Sequence, residues 1–451
     1  MSLAAARKEE MSVRTQSFEN DEGFTLVEVV VAMLIIGIIL TGFLYTMTAS
    51  LTSTRDTRAR VVAANLASQQ IDVLRSTANA FTLVDSVHDT QLNGDTFHVK
   101  VETDWVDNSG TVASCEAGAA VDSLAYVHVT VKVTWDNMRE GAQPVYADTS
   151  LTPRTKINDP NLGTVLVGVV NAAGTAVSGA TVSLSPASVA AVTTDTDGCA
   201  YLLKVPAGTY TVTVSKTGYI SDQQQSAPTA TVVVTAGDSS RASFAYDRAA
   251  SYTVTYASNV SGGATIPNNL PTSFVSTYGS FKLPSTTNAK SKTFSLYPIS
   301  SGYSVMAGAY AETPENPATS CLAPDPGQWA DAPGKIGVRP DPVAATPGNV
   351  VAAAAPMGEV KLSSPNGSGS HLKAVYSAGG TGDPGCAAGM TLTFGNVIGS
   401  GTTSLALPYG TWKLYRGDSS SQTTQITSGI TVASAGSVTG GLVVVDARVP
   451  E

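Results

Sequence analysis

Charged residues, histidines and cysteines are scarce in this sequence. Asp, Glu, Lys and Arg together make up 14 % of the 451 residues, and there are four histidines and four cysteines. No two cysteines are close enough in sequence to form a CxxC redox or zinc motif. The formal charge is −9, so the chain lacks the net positive field that attracts phosphate backbones, and nucleic-acid binding is not favoured.

Motifs that carry catalysis are also missing from the sequence. We find no nucleophile elbow, phosphate-binding loop, metal-ligand helix or pair of acids at catalytic spacing. The histidines are scattered, and period-two alternation places His98 and His128 on the water-facing sides of strands, where a metal site is the weaker interpretation. We therefore predict that the protein is not an enzyme and that it uses no metal or cofactor.

The four cysteines are expected to form two disulfides. With 41 glycines, 23 prolines and 43 % hydrophobic residues, the composition is typical of exported, turn-rich β proteins. Four separated cysteines in such a chain allow three connectivities. Cys321 and Cys386 lie in the same C-terminal region, which favours that pair, and Cys115 with Cys199 follows only by elimination. Free buried thiols are the alternative.

One long apolar run lies near the start of the chain. From Phe24 to Tyr45 the only charged residue is Glu28. As a helix this run spans about 33 Å, which matches a hydrocarbon core of about 30 Å. It is longer than the apolar region of a secretory signal peptide. A plain membrane anchor leaves Glu28 unexplained, because an ionised group inside a bilayer is costly.

The residues around this run, Gly23-Phe24-Thr25-Leu26-Val27-Glu28, resemble the class III signal of type IV prepilins and type II secretion pseudopilins. The stretch "VEVVVAMLIIGII" most resembles the minor V-type pilins and the I-type pseudopilins. The resemblance implies that a prepilin peptidase cuts between Gly23 and Phe24 and that Phe24 is then N-methylated. It also implies that Glu28 meets the Phe24 ammonium of a neighbouring subunit in a filament. Such pairing offsets the desolvation of both charges and sets the register of assembly.

The leader, residues 1–23, departs from the family pattern of short basic leaders. Its net charge is −2, and Arg55, Arg58 and Arg60 lie on the opposite flank of the apolar run. The positive-inside rule therefore gives little support for a cytoplasmic leader, and the orientation rests on the cleavage motif. Met11 is an alternative start.

The rest of the N-terminal region is predicted to be pilin-like. After the transmembrane and assembly helix, residues 24–45, a helix is predicted to continue to about residue 80, with an apolar face that packs on a sheet and is formed by Ala59, Val62, Ala63, Leu66, Val73 and Leu74. Alternation then predicts two strands, with Phe97, Val99, Val101 and Trp105 on the buried face of the first and Ala125, Val127, Val129, Val131, Val133 and Trp135 on that of the second. Residues 46–150 thus form a helix packed on a small antiparallel sheet, and residues 151–162 are interpreted as a linker.

Residues 163–247 resemble the carboxypeptidase regulatory-like, or transthyretin-like, β-sandwich domain. The resemblance rests on paired strands joined by Gly-rich turns, a hairpin signal at Asp197-Gly198 and the turn of residues 206–210. It implies a folded spacer or binding module without catalytic residues. Asp195 and Asp197 form a DxDG sequence, which turn chemistry explains better than a calcium loop does.

The C-terminal half is predicted to be all β. Residues 248–345 contain short strands and a Pro-rich loop around Cys321, and residues 346–451 form a C-terminal β-module. In that module "LPYGTWKLY" echoes "VPAGTYTVTV" of residues 163–247, which predicts a sandwich of related design or, alternatively, convergent turn chemistry. The expected fold class is α+β, with a long N-terminal helix on a small sheet followed by two or three sandwich-like modules.

These features predict a minor subunit of a type IV pilus or pseudopilus, either low-copy or located at the tip. The large β-modules would crowd neighbours in a repeating shaft, and they suit adhesion, assembly priming or partner binding. The expected partners are the prepilin peptidase, other pilin or pseudopilin subunits, the membrane and a surface ligand. We expect a single-pass inner-membrane protein before assembly and an extracellular or envelope filament afterwards. The alternative is a membrane-anchored cell-envelope binding protein that never enters a filament.

Overall fold

The computed structural model describes residues 25–77, 80, 83–112, 115, 124–139, 141–153, 161–260, 262–363, 371–396, 401–433 and 436–450. The leader and the two cleavage residues, Gly23 and Phe24, lie outside these ranges. The chain divides into two compact units. The first comprises Met1–Ser76, Ser86–Glu102 and Thr130–Thr149, and the second comprises Thr77–Asp85, Thr103–Val129 and Ser150–Glu451.

The first unit is built on one helix, α1, which runs from Leu26 to Ser76. Its C-terminal half buries a single stripe of residues four apart, Ala59, Ala63, Ala67 and Ile71. Residues at this spacing lie on one face of a helix, and three of the four are alanines, so the backbone can approach its neighbours closely. The predicted extension to residue 80 was too long by about one turn. Val73, predicted to face the core, is 54 % exposed.

A four-stranded sheet follows the helix, in the spatial order β1-β2-β3-β4. Its strands are β1 (Ser86–Leu92), β2 (Asp95–Asp107), β3 (Leu124–Trp135) and β4 (Val145–Leu151). Of the alternating residues predicted for the buried faces of β2 and β3, all but Ala125 are buried, each at most 6 % exposed, and Ala125 is partly buried. The prediction of those two core faces is confirmed, and β1 and β4 are additional strands.

Residues 162–248 form a β-sandwich, as predicted. Its strands are β5 (Leu162–Val170), β6 (Thr181–Ser185), β7 (Val192–Thr193), β8 (Cys199–Pro206), β9 (Gly208–Ser215), β10 (Tyr219–Ser221), β11 (Thr229–Val234) and β12 (Ser239–Arg248). One sheet has the order β10-β12-β5-β8 and the other β11-β9-β6-β7. The inward residues of both sheets, among them Val167, Val212 and Tyr246, form one core. Strands β5 and β12 pair in parallel, which joins the two ends of the module.

Residues 250–450 contain only strands and two short 3-10 helices in the described ranges. The strands are β13 (Ala250–Tyr256), β14 (Thr272–Ser276), β15 (Gly279–Leu283), β16 (Ser291–Leu296), β17 (Ser304–Ala307), β18 (Lys335–Ile336), β19 (Val350–Ala355), β20 (Gly358–Leu362), β21 (His371–Tyr376), β22 (Thr391–Asn396), β23 (Thr403–Leu407), β24 (Gly410–Gly417), β25 (Gln422–Gln425), β26 (Ile430–Val432), β27 (Ser437–Thr439), β28 (Leu442–Val445) and β29 (Val449–Pro450). The 3-10 helices, Pro317–Thr319 and Pro326–Gln328, lie in the proline-rich segment.

These strands form one body around a shared core. The sheets have the orders β16-β13-β19, β15-β14-β17, β23-β20-β26 and β22-β21-β24-β28-β27, with β25 on β24 and β18 on β29. Strand β13 pairs in parallel with β19, which lies 94 residues further along the chain. One buried cluster includes Tyr252 from the start of this region and Trp412 from near its end. We therefore describe residues 250–450 together, as the C-terminal body.

The sequence echo between the sandwich and the C-terminal body extends to side-chain contacts. In "VPAGTY" the hydroxyl of Tyr210 donates a hydrogen bond to the carbonyl of Pro206 over 3.0 Å. In "LPYGTW" the indole Nε1 of Trp412 donates to the carbonyl of Pro408 over the same distance. Each aromatic residue thus closes the turn that precedes its own strand. Overall, the α+β class with sandwich-like modules is confirmed.

The cysteines pair as Cys115 with Cys199 and Cys321 with Cys386. The second bond fixes the proline-rich segment to the loop before β22. In that segment Asp325 is fully buried, accepts a hydrogen bond from the Gly327 amide over 2.9 Å and binds the Arg339 guanidinium. A segment with little regular structure is thereby held by a disulfide and a buried ion pair.

Candidate functional site

The candidate site for anchoring and assembly is the N-terminal half of α1. From Leu26 to Leu51 every side chain is exposed, including apolar ones such as Met33 at 69 %. By length and composition this is a helix that could cross a membrane, with a mean hydropathy of 2.7 in its most apolar window. Exposing so much apolar surface to water costs about 25 cal/mol per Å². The helix is therefore suited to lipid or to packing against other helices.

Glu28 lies in the first turn of this helix. Its amide donates to the carbonyl of Thr25 over 3.0 Å and approaches the Thr25 hydroxyl at 3.3 Å, so Thr25 caps the helix start. A carboxylate at this end interacts favourably with the helix dipole. Within the described residues the Glu28 carboxylate has no hydrogen bond or ion pair, so it is available to a group from another molecule. Phe24, its expected partner in a neighbouring subunit, is outside the described ranges.

Threonines are concentrated in the middle of α1. The hydroxyls of six of them donate to carbonyls three or four residues earlier: Thr41, Thr46, Thr48, Thr52, Thr54 and Thr57. β-Branched residues have low helix propensity, and this back-bonding slightly weakens and bends helices. The stretch between the exposed and the packed halves of α1 therefore has a low intrinsic helical preference.

Polar contacts fix the C-terminal half of α1 within the first unit. Arg55 forms an ion pair with Asp95, and the carboxylate of Asp56 accepts a hydrogen bond from Trp135 Nε1 over 3.2 Å. Further along, Arg60 donates to the Gln143 carbonyl over 2.8 Å, and Arg75 donates to Thr149 Oγ1 over 2.9 Å. Arg55 and Arg60, which the sequence offered only as charges flanking the membrane, therefore hold the helix to its sheet.

His98 is placed between two carboxylates on the sheet surface. Its Nδ1 lies 2.7 Å from Asp89 and its Nε2 lies 3.1 Å from Asp136. These two hydrogen bonds raise the pKa of the His98 imidazole. The side-chain partners of His98 are therefore two acids, Asp89 and Asp136. The described part of the chain contains no group of three or more His, Cys, Asp or Glu arranged to hold a metal ion.

The DxDG sequence of the sandwich forms a turn. One carboxylate oxygen of Asp195 accepts hydrogen bonds from the amides of Asp197 and Cys199, at 3.0 and 2.8 Å, which is the Asx-type geometry expected of such a turn. The carboxylate of Asp197 does not take part. The pKa of Asp197 is raised to about 6 by partial burial and by the neighbouring carboxylates of Asp85, Asp195 and Asp104.

Asp197 borders a cleft of about 820 Å³ in the second unit, which we call the sandwich cleft. Its walls come from the end of β2, from residues 112 and 115, and from strands β5, β8 and β12. Trp105 and Tyr201 line it, with ring centroids 5.7 Å apart, and Asp104 lies beside them. Sequence reasoning missed this site because its residues come from five separate segments, and no local pattern links them.

Family models match two parts of the chain. The prokaryotic N-terminal methylation motif matches residues 20–44, and the carboxypeptidase regulatory-like domain matches residues 164–247. Both resemblances noted in the sequence are confirmed. Among curated proteins no match is found.

Several solved structures overlap with the chain at low similarity. The TIE protein of Bacillus anthracis is 12 % identical, with 78 % of this chain and 71 % of that one covered, at a TM-score of 0.19. A streptococcal ancillary pilin is 11 % identical, with 51 % and 75 % covered, at 0.18. The major pilin subunit of Bacillus cereus is 10 % identical, with 60 % and 95 % covered, at 0.15. Similarity at this level carries no information about function.

Proposed function

We propose that this chain, which carries a prokaryotic N-terminal methylation motif, is a low-copy subunit of a type IV pilus or a secretion pseudopilus. The observation that carries the proposal is the coincidence of that motif with the exposed apolar half of α1, headed by Glu28. The motif predicts cleavage after Gly23 and methylation of Phe24. The helix supplies the apolar surface that must be buried first in lipid and then among other subunits.

Glu28 has a specific part in this proposal. Before assembly its carboxylate lies near the membrane surface, at the start of the helix. In a filament it pairs with the Phe24 ammonium of a neighbouring subunit, and each charge offsets the desolvation of the other. A subunit in the wrong register would bury an unpaired carboxylate, so the pair selects the register more than it adds stability.

The size of the part that follows α1 supports a low copy number. The first unit supplies a four-stranded sheet, and the sandwich and the C-terminal body add further folded mass. A subunit repeated along a shaft would have to accommodate this bulk at every position. We therefore propose a place at the tip or at sparse positions, with the β-modules outside the cell. There they would serve adhesion, assembly priming or partner binding, without catalysis.

Processing and filament incorporation test the proposal. The full chain is expressed with a prepilin peptidase in a host that assembles filaments, and the mature N-terminus is read by mass spectrometry. We expect a chain that begins at methylated Phe24 and is recovered in sheared filaments at low copy. Glu28→Ala should be cleaved yet lost from the filaments. Asp72→Ala removes an exposed acid from the same helix and should be incorporated normally.

The outcomes separate the two hypotheses. A mature chain that begins elsewhere would contradict the proposed processing. A chain that is processed and folded but stays in the membrane fraction would favour an anchored cell-envelope binding protein. Equal incorporation of Glu28→Ala and Asp72→Ala would remove the role assigned to the Glu28 carboxylate.

A further inference from the structure

The sandwich cleft has the size and the walls of a binding site. Its volume of about 820 Å³ is within the range of about 300–1,000 Å³ that holds ligands in proteins. The wall is mixed: the rings of Trp105 and Tyr201 lie side by side, and Val112 on the rim is 56 % exposed. Such a surface buries apolar groups and offers aromatic rings to a cation.

Among the described residues, the charged side chains that line the cleft are both acids. Asp104 and Asp197 line it, and Asp85 and Asp195 are close enough to raise the pKa of Asp197. The charged groups that shift the pKa of Asp197 are all acids. Arg241 on β12 instead acts on Tyr201, where it partly opposes the rise in pKa that burial causes. The cleft therefore has a negative field, which favours a positively charged ligand.

Two of these four acids are already engaged by the protein itself. Asp85 accepts hydrogen bonds from the amide and the hydroxyl of Thr103, at 2.7 and 3.0 Å, and Asp195 holds its own turn. For Asp104 and Asp197 the described residues provide no ion pair. The carboxylates are not grouped to coordinate a metal ion. The negative charge is thus spread along a partly apolar wall, which suits an extended organic cation.

We infer that the sandwich cleft binds a segment of a partner polypeptide that carries lysine or arginine next to apolar side chains. The basic groups pair with Asp104 and Asp197, and the apolar side chains lie against Trp105 and Val112. Charge complementarity gives such a site its specificity. The inference gives a location to the partner binding proposed above, and it is tested without filaments, so its failure leaves the proposed assembly role unaffected.

Peptide binding to the full chain, held in a non-ionic detergent, tests this site. The probe is a fluorescein-labelled peptide of sequence GRLGRLGRL, compared by fluorescence polarisation with GQLGQLGQL. The basic peptide should bind at least about tenfold more tightly, a difference of about 1.4 kcal/mol in binding free energy, because its arginines can pair with Asp104 and Asp197. Binding should weaken as the pH falls from 7.5 to 5, because Asp197 becomes protonated.

Three variants make the test specific. Asp104→Asn with Asp197→Asn should reduce affinity about tenfold, whereas Glu315→Gln with Asp341→Asn removes two exposed acids elsewhere and should change little. Ser243→Trp places a large ring in the cleft from an exposed position of β12 and should reduce binding of the basic peptide. Circular dichroism would confirm that each variant is folded.

Two results would overturn the inference. One is equal loss of affinity in the cleft pair and the control pair, which would mean that only the overall charge matters. The other is binding of GQLGQLGQL as tight as that of the basic peptide. Spermidine serves as a competitor, and if it bound as tightly as the basic peptide, the site would be one for small cations and not for a polypeptide.

Discussion

The N-terminal half of α1 and the C-terminal body treat apolar surface in opposite ways. In the helix, Leu26 is 81 % exposed and Ile36 is 55 % exposed. In the body, Trp412, Tyr252 and Phe274 are fully buried in one core. The body supplies its own solvent-free interior, whereas the helix can bury its apolar side chains only against lipid or other proteins. Stability and assembly are thus carried by different parts of the chain.

Polar groups show the same contrast. The buried carboxylate of Asp325 is paired with Arg339, whose Nε donates to it over 2.9 Å. The carboxylate of Glu28 has no such partner among the described residues. In the body a buried acid is satisfied within the chain, whereas in the helix the exposed acid is the one for which we propose a partner group from another subunit. Mutations in the C-terminal body should therefore affect folding, whereas mutations in the N-terminal half of α1 should affect association.

The largest effect on stability is expected at Trp412. This side chain is fully buried, its Nε1 donates to the Pro408 carbonyl, and its ring packs edge-on against Tyr376 with centroids 6.0 Å apart. Trp412→Ala should lower the free energy of unfolding of the C-terminal body by about 3–5 kcal/mol, because it leaves a cavity. Chemical denaturation followed by circular dichroism would measure the change.

Ile36→Ala is the matched truncation in the helix. It should leave the denaturation midpoint of the β-modules unchanged, since Ile36 is 55 % exposed in the apolar half of α1, and it should reduce recovery in membranes or filaments. A loss of stability comparable with that of Trp412→Ala would show that the two regions are not separate in this way.

The next largest effect is expected from the disulfide of the C-terminal body. Cys321 and Cys386 are 65 residues apart in sequence, and replacing both by serine should lower the free energy of unfolding by about 2–4 kcal/mol. Adding a reductant to the unmodified protein should shift its thermal midpoint in the same direction. Filament incorporation through α1 should be retained. An unchanged midpoint in the double variant would contradict the stabilising role assigned to the bond.

Local patterns in the sequence were sufficient for the parts of the fold that depend on local periodicity. The alternation that buries Phe97, Val99 and Val101 is visible without a structure, as is the apolar run that exposes Ile36. Strand β1 was missed because its residues, SVHDTQL, are mostly exposed and do not alternate. The buried stripe of α1 was only partly predicted, because alanines such as Ala67 carry little hydrophobic signal.

Long-range relations could not be read from the sequence. The parallel pairing of β13 with β19 joins strands on both sides of residue 345, and no local signal links such distant segments. The same holds for the sandwich cleft, where Asp104 and Asp197 meet through folding alone. The pairing of Cys115 with Cys199 was reached by elimination, and its contacts with β5 become visible only in the structure. The cleavage site at Gly23 and Phe24 stays a prediction.

Unlike the carboxylate of Asp325, the ammonium group of Lys292 in the C-terminal body is buried without being paired to another described group. It has no hydrogen-bond partner in the described ranges and lies 4.8 Å from the centre of the Tyr256 ring. Burial lowers its pKa to about 8, below the ordinary value of about 10.5. Folding therefore releases a proton between these pH values, and stability should rise as the pH increases from 8 to about 10.

Lys292→Met tests this assignment. The variant should be more stable than the parent at pH 7 by about 1 kcal/mol or less, because the side chain is partly exposed and its charge is screened. The rise in stability with pH should be absent from the variant. Thermal unfolding across this pH range would show it, and a parallel rise in both proteins would assign the effect to other groups.

The smallest effect on stability is expected at Asp197. Within the described residues this acid has no ion pair although it lies in a folded module, just as Glu28 has none in the helix. The folded-state pKa of Asp197, about 6, is above the ordinary value of 3.8, so the folded state binds a proton more tightly than the unfolded state does. Its contribution to stability should rise as the pH falls through 6 and vanish in Asp197→Asn. Because the group is largely exposed, the difference should stay below about 1 kcal/mol. The check is the difference in thermal unfolding midpoint between the two proteins, measured at pH 5 and at pH 7.5 without any ligand. An equal difference at both pH values would mean that the neighbouring acids do not strain this carboxylate.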